Sequence, residues 1–292
     1  MTQFQAYRAA RHARFYEGAD KAFLGDEYRL DFSGVGHAAQ GEAWATLITP
    51  QCFLTAAHAA PSPGTRLVFH EGNTAARGRH EYTVAEGTVI RDEGYPSDLY
   101  LGRLTAPIPP ADRIAHYPLF LLGSDGAYRG EEIFVYGGRD CVGRSGITSV
   151  AEHHQRHTHT LYYAFHTQGG CGPDDVYLRA NDSGAPSFEI WRGALALVGI
   201  HSGNSTGGGE GASGSLSADV LVPYYITALN RYLPDGPVAV VPPPAPRWRP
   251  FALGDVLRGR YFYLAGGLIG LFAAVVTLWI RRRRQQEWNP DE

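Results

Sequence analysis

Three short segments of this chain carry side chains that together could perform nucleophilic acyl transfer. Leu54-Thr55-Ala56-Ala57-His58 places an imidazole directly after an apolar run. Ser97-Asp98-Leu99-Tyr100-Leu101-Gly102-Arg103-Leu104 sets a carboxylate at the head of an alternating stretch. Asn181-Asp182-Ser183-Gly184-Ala185-Pro186 holds a hydroxyl in a sequence suited to a tight, exposed turn. Each alone reads as ordinary structure: a satisfied histidine, a turn or capping aspartate, a surface loop. A serine hydroxyl is a weak nucleophile until a neighbouring base takes its proton. An imidazole can be that base, and a carboxylate holds the ring in the useful tautomer and stabilises the imidazolium. The chain offers one candidate for each role.

In type, order and spacing the three segments resemble those of the chymotrypsin/trypsin-like serine peptidases, which read T-A-A-H, D-x-A-L-x-x-L and G-D-S-G-G-P. His58 precedes Asp98 by 40 residues, and Asp98 precedes Ser183 by 85. The resemblance covers roughly residues 30–232. It implies His58, Asp98 and Ser183 as a catalytic triad, a polypeptide substrate and no cofactor. It implies an all-β fold of two six-stranded antiparallel barrels, about 25–120 and 121–222, with the site in the cleft between them. Backbone N–H groups of Asn181 and Ser183 would form the oxyanion hole. The family has glycine where this chain has Asn181, the non-glycine type that best tolerates left-handed backbone. Ala185 stands for a second glycine. Ala59 replaces the cysteine that usually follows the histidine, so the loop disulfide is missing and the resemblance moves toward bacterial branches of the fold. Asp182 matches the acid that in trypsin-like zymogens pairs with a new N-terminal ammonium. No I-V-G-G start is present, which leaves cleavage after Lys21, before Ala22-Phe23-Leu24-Gly25, or an internal cation such as Arg29.

Ala196–Gly203 resembles the strand that walls the family's primary specificity pocket. Ser202, Gly203 and Asn204 would then bind substrate backbone as an added antiparallel strand. His201 occupies a position that is usually valine; glutamyl endopeptidases of this fold carry G-I-H there, which implies cleavage after glutamate. Histidine can pair with an acidic side chain without leaving a permanent cation in an empty pocket. The alternative for His201 is a purely local hydrogen bond. Six residues before Ser183 stands Tyr177 rather than an aspartate, which disfavours cleavage after Lys or Arg.

The elements that must position these groups read as short strands. Trp44–Ile48, Arg66–Phe69, Tyr82–Ile90, Leu99–Leu104, Ile133–Tyr136, Thr160–Phe165 and Ala194–Ile200 alternate or run apolar between Gly, Pro, Asp and Ser. Such spacing suits a sandwich or barrel. Near Val222–Tyr232 the period lengthens, placing Tyr225, Leu229 and Tyr232 on one face of a C-terminal helix. Residues 1–24 form a polar lead or propeptide without the apolar run of a signal peptide. The peptidase-like domain is expected over 25–233, a Pro-rich linker over 234–256, a transmembrane helix over 257–280 and a basic tail over 281–292.

Pro237–Pro250 holds six prolines in fourteen residues, which makes a stiff, extended spacer. Tyr261–Ile280 follows with twenty uncharged residues, enough helix to cross the roughly 30 Å core of a bilayer. Arg281–Arg284 directly after it argues for a cytoplasmic C-terminus and a periplasmic or extracellular peptidase domain. Arg247, Arg249, Arg258 and Arg260 before the span, and the lack of a signal sequence, point to the cytosolic face instead. Ala265-Gly266-Gly267 with the apolar run and arginine cluster is also similar to GlyGly-type sorting signals of secreted bacterial peptidases.

Composition removes other classes. The last twelve residues carry +1 and residues 234–280 carry +2, so the formal −3 of the chain leaves −6 on the first 233 residues. No basic face is available to displace nucleic-acid counterions. Three cysteines (Cys52, Cys141, Cys171) are too few for a disulfide framework; Cys141 and Cys171 could pair, and buried thiols are the alternative. His153, His154, His157 and His159 lack a carboxylate or cysteine at ligand spacing, so no metal site is expected. The Gly207–Gly214 tract lacks the lysine and helix start of a phosphate cradle. An α/β-hydrolase would need G-x-S-x-G and the order Ser, acid, His. The rival to an enzyme is a catalytically silent binding module on a membrane stalk.

Overall fold

The computed structural model describes residues 3–75, 78–138, 140–153, 158–165, 170–205, 215–234 and 236–241. The expected transmembrane segment 257–280, the basic tail, the Gly207–Gly214 tract, His154 and His157 lie outside the described residues. Among the described residues no helix is long and apolar enough to cross a membrane.

After a short strand β1 (Gln3–Phe4), the first half folds into a closed six-stranded barrel. Its strands are β2 (Val35–Ala38), β3 (Trp44–Leu47), β4 (Cys52–Ala56), β5 (Arg66–His70), β6 (Arg79–Asp92) and β7 (Tyr95–Leu104). The second half comprises β8 (Leu119–Phe120), β9 (Glu132–Gly137), β10 (Cys141–His153), β11 (Thr158–Ala164), β12 (Val176–Tyr177), β13 (Pro186–Trp191), β14 (Ala194–Ser205), β15 (Leu216–Leu221) and β16 (Val240–Val241). Its sheet runs β13-β9-β10-β11-β15-β14, and a β13–β14 pairing closes these six strands into a second ring. β8 joins β14 and β16 joins β8, both in parallel.

Several strands are buried on both faces, so they read as unbroken apolar runs. Alternation then sorts their side chains between layers. On β4, Cys52, Leu54 and Ala56 enter a core between the barrels, while Phe53 turns into the first barrel. On β9, Phe134 and Tyr136 face the shared core and Ile133 and Val135 fill the second barrel. On β14, Leu195, Leu197 and Ile200 face the shared core, opposite Ala196 and Val198. This shared core holds the two halves of the cleft in register.

Three sequence expectations are corrected at the edges. The segment read as a lead, 1–24, is built into the domain from Gln3. β1 pairs with β12, Phe4 packs in the second barrel's core, and Phe23 and Leu24 are buried between the barrels. Its charges misled because Arg14 is wholly buried rather than solvated. The C-terminal helix ends at Leu229; Tyr225 and Leu229 are buried, but Tyr232 lies beyond the last turn and is exposed. The linker's first residues are not a free spacer: Val238 is buried and Val240–Val241 pair with β8. None of Cys52, Cys141 and Cys171 forms a disulfide, and burial pushes the thiols up, to about 11 for Cys141 and about 12 for Cys171.

Candidate active site

Register in the first barrel places two of the three groups. Ala56 at the end of β4 pairs with Leu99 on β7, and a single 3₁₀ turn, Ala57–Ala59, follows. His58 therefore lands beside Asp98, the residue preceding Leu99. Its ring Nδ1 lies 2.9 Å and 2.8 Å from the two carboxylate oxygens, and its backbone N–H donates to Oδ1 at 3.0 Å. Asp98 is nearly buried, while the His58 side chain is 45% exposed to the cleft. Burial pushes the Asp98 carboxyl up, but bonds from His58 and Ser202 outweigh it and hold the group below the usual carboxylate range. With Nδ1–H directed at a carboxylate, Nε2 is the nitrogen left to accept a proton.

Ser202 reaches Asp98 because β14 bulges between His201 and Gly203. The irregularity takes Ser202 out of the ladder, and its hydroxyl donates to Asp98 Oδ2. Thr158 Oγ1 accepts the Asp98 backbone N–H at 3.1 Å. Two groups from the second barrel thus fix Asp98 of the first, Ser202 at its carboxylate and Thr158 at its backbone N–H.

The serine turn hangs on the second barrel and leans on the first. Asn181 has φ 79°, in the left-handed region, as its residue type suggests. Gly184 has φ 88°, and a Cβ there would stand 2.2 Å from Thr55 Oγ1, so only glycine allows this approach to β4. The Trp44 indole donates to Asn181 O at 3.2 Å. Asp182 is buried beneath the turn and accepts the backbone N–H groups of Gly138 (2.6 Å) and Arg179 (2.9 Å). Arg29 is exposed and makes no ion pair with it. Among the described residues, the N–H groups of Asn181 and Ser183 donate to no partner, whereas Asp182 and Gly184 N–H groups are engaged. These are the two residues whose N–H groups the sequence assigns to an oxyanion hole.

Ser183 is half-buried and, with His58 and Asn181, lines a cavity of about 480 Å³. No hydrogen bond joins its hydroxyl to the His58 ring in this structure. A neighbouring cavity of about 660 Å³ shares Asn181 and is lined by His37, Glu42, Trp44 and Asp140. Among the described residues no cluster could hold a metal ion.

The pocket residues divide. Asn204 is exposed and ties back to Leu178 O at 3.1 Å. β13 pairs with β14 only as far as Ile200, so its ladder does not reach Ser202, Gly203 or Asn204. His201 is 2% exposed, and its Nδ1 lies 3.2 Å from Asp219 Oδ1. Asp219, wholly buried, also accepts the hydroxyls of Tyr163 and Ser187. Tyr177 is buried in β12 and donates to Gln3 Oε1 at 2.8 Å. Sequence reasoning missed Trp44, Thr158 and Asp219 as parts of the site; none sits in a motif. Only the tryptophan that opens Trp44–Leu47 could have drawn notice.

No family model matches the sequence, and no curated protein matches it. Among solved structures the fold is similar to that of neuropsin, described as a serine protease expressed in the limbic system of mouse brain. The match has 17% identity and a TM-score of 0.50, and covers 68% of this chain and 93% of that one. The chain has the chymotrypsin-like double-barrel fold.

Proposed function

We propose that this chain is a serine endopeptidase that hydrolyses polypeptides through an acyl-enzyme. The observation that carries the reading is His58 clamped by Asp98 across a cavity from Ser183, with two free amides beside the hydroxyl. Ser183 Oγ attacks the scissile carbonyl carbon while His58 Nε2 takes the hydroxyl proton. Asp98 balances the imidazolium. The carbonyl oxygen, now anionic, is met by the Asn181 and Ser183 N–H groups, each worth roughly 3–4 kcal/mol to the transition state. His58 then gives its proton to the departing amine, and water repeats the sequence to release the acid. Tested with a fluorophosphonate probe, the wild type labels at Ser183 and digests a denatured protein; Ser183→Ala does neither. A wild type that fails to label would instead favour the silent binding module, the reading that the missing Ser183–His58 bond supports.

Two finer readings accompany it. An acidic residue at the cleavage point is supported by His201 at the wall strand: with Asp219 accepting from Nδ1–H, an imidazolium that also carries a proton on Nε2 would donate it to a substrate carboxylate. Cleavage after Glu should exceed cleavage after Gln by at least tenfold, about 1.4 kcal/mol. Membrane tethering is supported by the uncharged Tyr261–Ile280 and the four arginines after it. The full chain should stay with membranes through carbonate washing and lose that property when residues 257–292 are removed. Protease accessibility in intact cells assigns the domain's side, for which the arginine cluster favours the exterior.

A further inference from the structure

The N-terminal segment makes polar contacts with both stretches of chain that frame the serine turn. On one side, Arg14 N–H donates to Asp140 O at 2.9 Å, and Ala13 bridges to Cys141. The Arg14 guanidinium, fully buried, donates to Gly72 O (2.7 Å) and His70 O (3.2 Å) in the first barrel and to Tyr136 OH (2.9 Å) in the second. Tyr136 OH passes a hydrogen bond on to Asp140. On the other side, β1 pairs with β12, Gln5 N–H donates to Asp175 O, and Gln3 accepts from Tyr177. Arg11 grips Asp174 through two bonds of 2.5 and 2.6 Å, and His12 Nε2 lies 3.0 Å from the same carboxylate. Asp174 is buried, and the Arg11 and His12 contacts outweigh the cost of its burial, holding its carboxyl well below the usual range. The two held stretches, 136–141 and 174–177, supply Gly138 and lead to Arg179. These are the residues whose N–H groups hold Asp182 beneath Ser183.

We propose that Gln3–Arg14 is a positioning strap for the reaction centre, with Arg11 and Arg14 as its positioning residues, so that the serine turn is set by a segment retained in the active protein. The proposal rests on the hydrolase reading for its effect on activity, but its mechanical part does not. Cleavage after Lys21 would cut the chain between the strap and the barrels. Phe23 and Leu24, next to that point, are packed in the shared core rather than free to move to Asp182.

The test uses the full chain with Arg11→Gln, Arg11→Lys and Arg14→Lys, and the exposed-pair variant Arg66→Gln as control. Amide exchange at Gly138 and Arg179, exchange at Ala56 and Leu99, and the fluorophosphonate labelling rate are followed together. Arg11→Gln should speed exchange at Gly138 and Arg179 and slow labelling about tenfold, while Ala56 and Leu99 exchange as in wild type. Arg11→Lys should recover part of both effects, and the pH midpoint of labelling should not move. Should Arg14→Lys fail to fold, Arg11→Gln, at a partly exposed site, decides. Unchanged exchange at Gly138 and Arg179 overturns the strap whatever the activity, and so does an equal rise at Ala56 and Leu99, which would mean general loosening. A wild type that does not label, combined with the selective loosening, supports the strap and overturns the hydrolase reading instead.

Discussion

The two sides of the cleft hold their reactive groups by different means. On the first barrel, His58 and Asp98 are neighbours because β4 and β7 are in register, and a single turn carries the imidazole onto the carboxylate. On the second, Ser183 lies in a turn with left-handed residues on both sides of it, held from below by Asp182 and from the front by Trp44. Strand ladders fix His58 through many cooperative backbone bonds. A few side-chain bonds from distant parts of the chain fix Ser183. The His58 side should therefore tolerate local substitution while the Ser183 side should not, except where the Asp98 carboxylate itself is removed.

The largest expected effect tests that exception. Asp98→Asn keeps the shape but cannot impose the same tautomer on His58, and kcat should fall about 10⁴-fold with the fold intact. Trp44→Phe removes the indole N–H to Asn181 O together with part of a ring packed in the shared core. If the serine side depends on such single contacts, kcat/KM should fall about tenfold at temperatures well below the variant's own melting point, where it is fully folded; unchanged activity would break the contrast between the two sides. The smallest effect on activity is expected from Glu189 on β13, in the second barrel but away from the cleft. Burial, reinforced by Glu131, pushes its carboxyl up to about 8. The folded protein then keeps a proton that the unfolded chain releases above about pH 4.3. Stability should fall as pH rises from there to about 8 and level off above it. Glu189→Gln should remove about 1–3 kcal/mol of that slope without altering the labelling rate.

Much of this was legible along the chain. Seven strands were marked by their own alternation, and the His58, Asp98 and Ser183 segments by residue type and order. β10 and β13 escaped notice because charged and small residues interrupt them, as in Cys141-Val142-Gly143-Arg144-Ser145-Gly146. The N-terminal segment was misread because Arg8, Arg11, Arg14 and Lys21 look solvated in sequence. The Arg14 guanidinium is buried because several carbonyls and a tyrosine hydroxyl meet its donors, and no local pattern announces those partners. Tyr232 was assigned to a helical face by period alone, although the helix stops one turn earlier.

The sequence by itself determined which chemical groups exist, their order, and the alternation that builds strands with two buried faces, because these depend on neighbours only a few residues apart. Only the tertiary structure decided that Ser202 braces Asp98, that Asp219 stands behind His201, that the Asn181 and Ser183 amides meet no partner among the described residues, and that Arg14 joins two barrels. Those contacts join residues far apart in the chain, and each is set by the register of whole sheets, which no local stretch of sequence encodes.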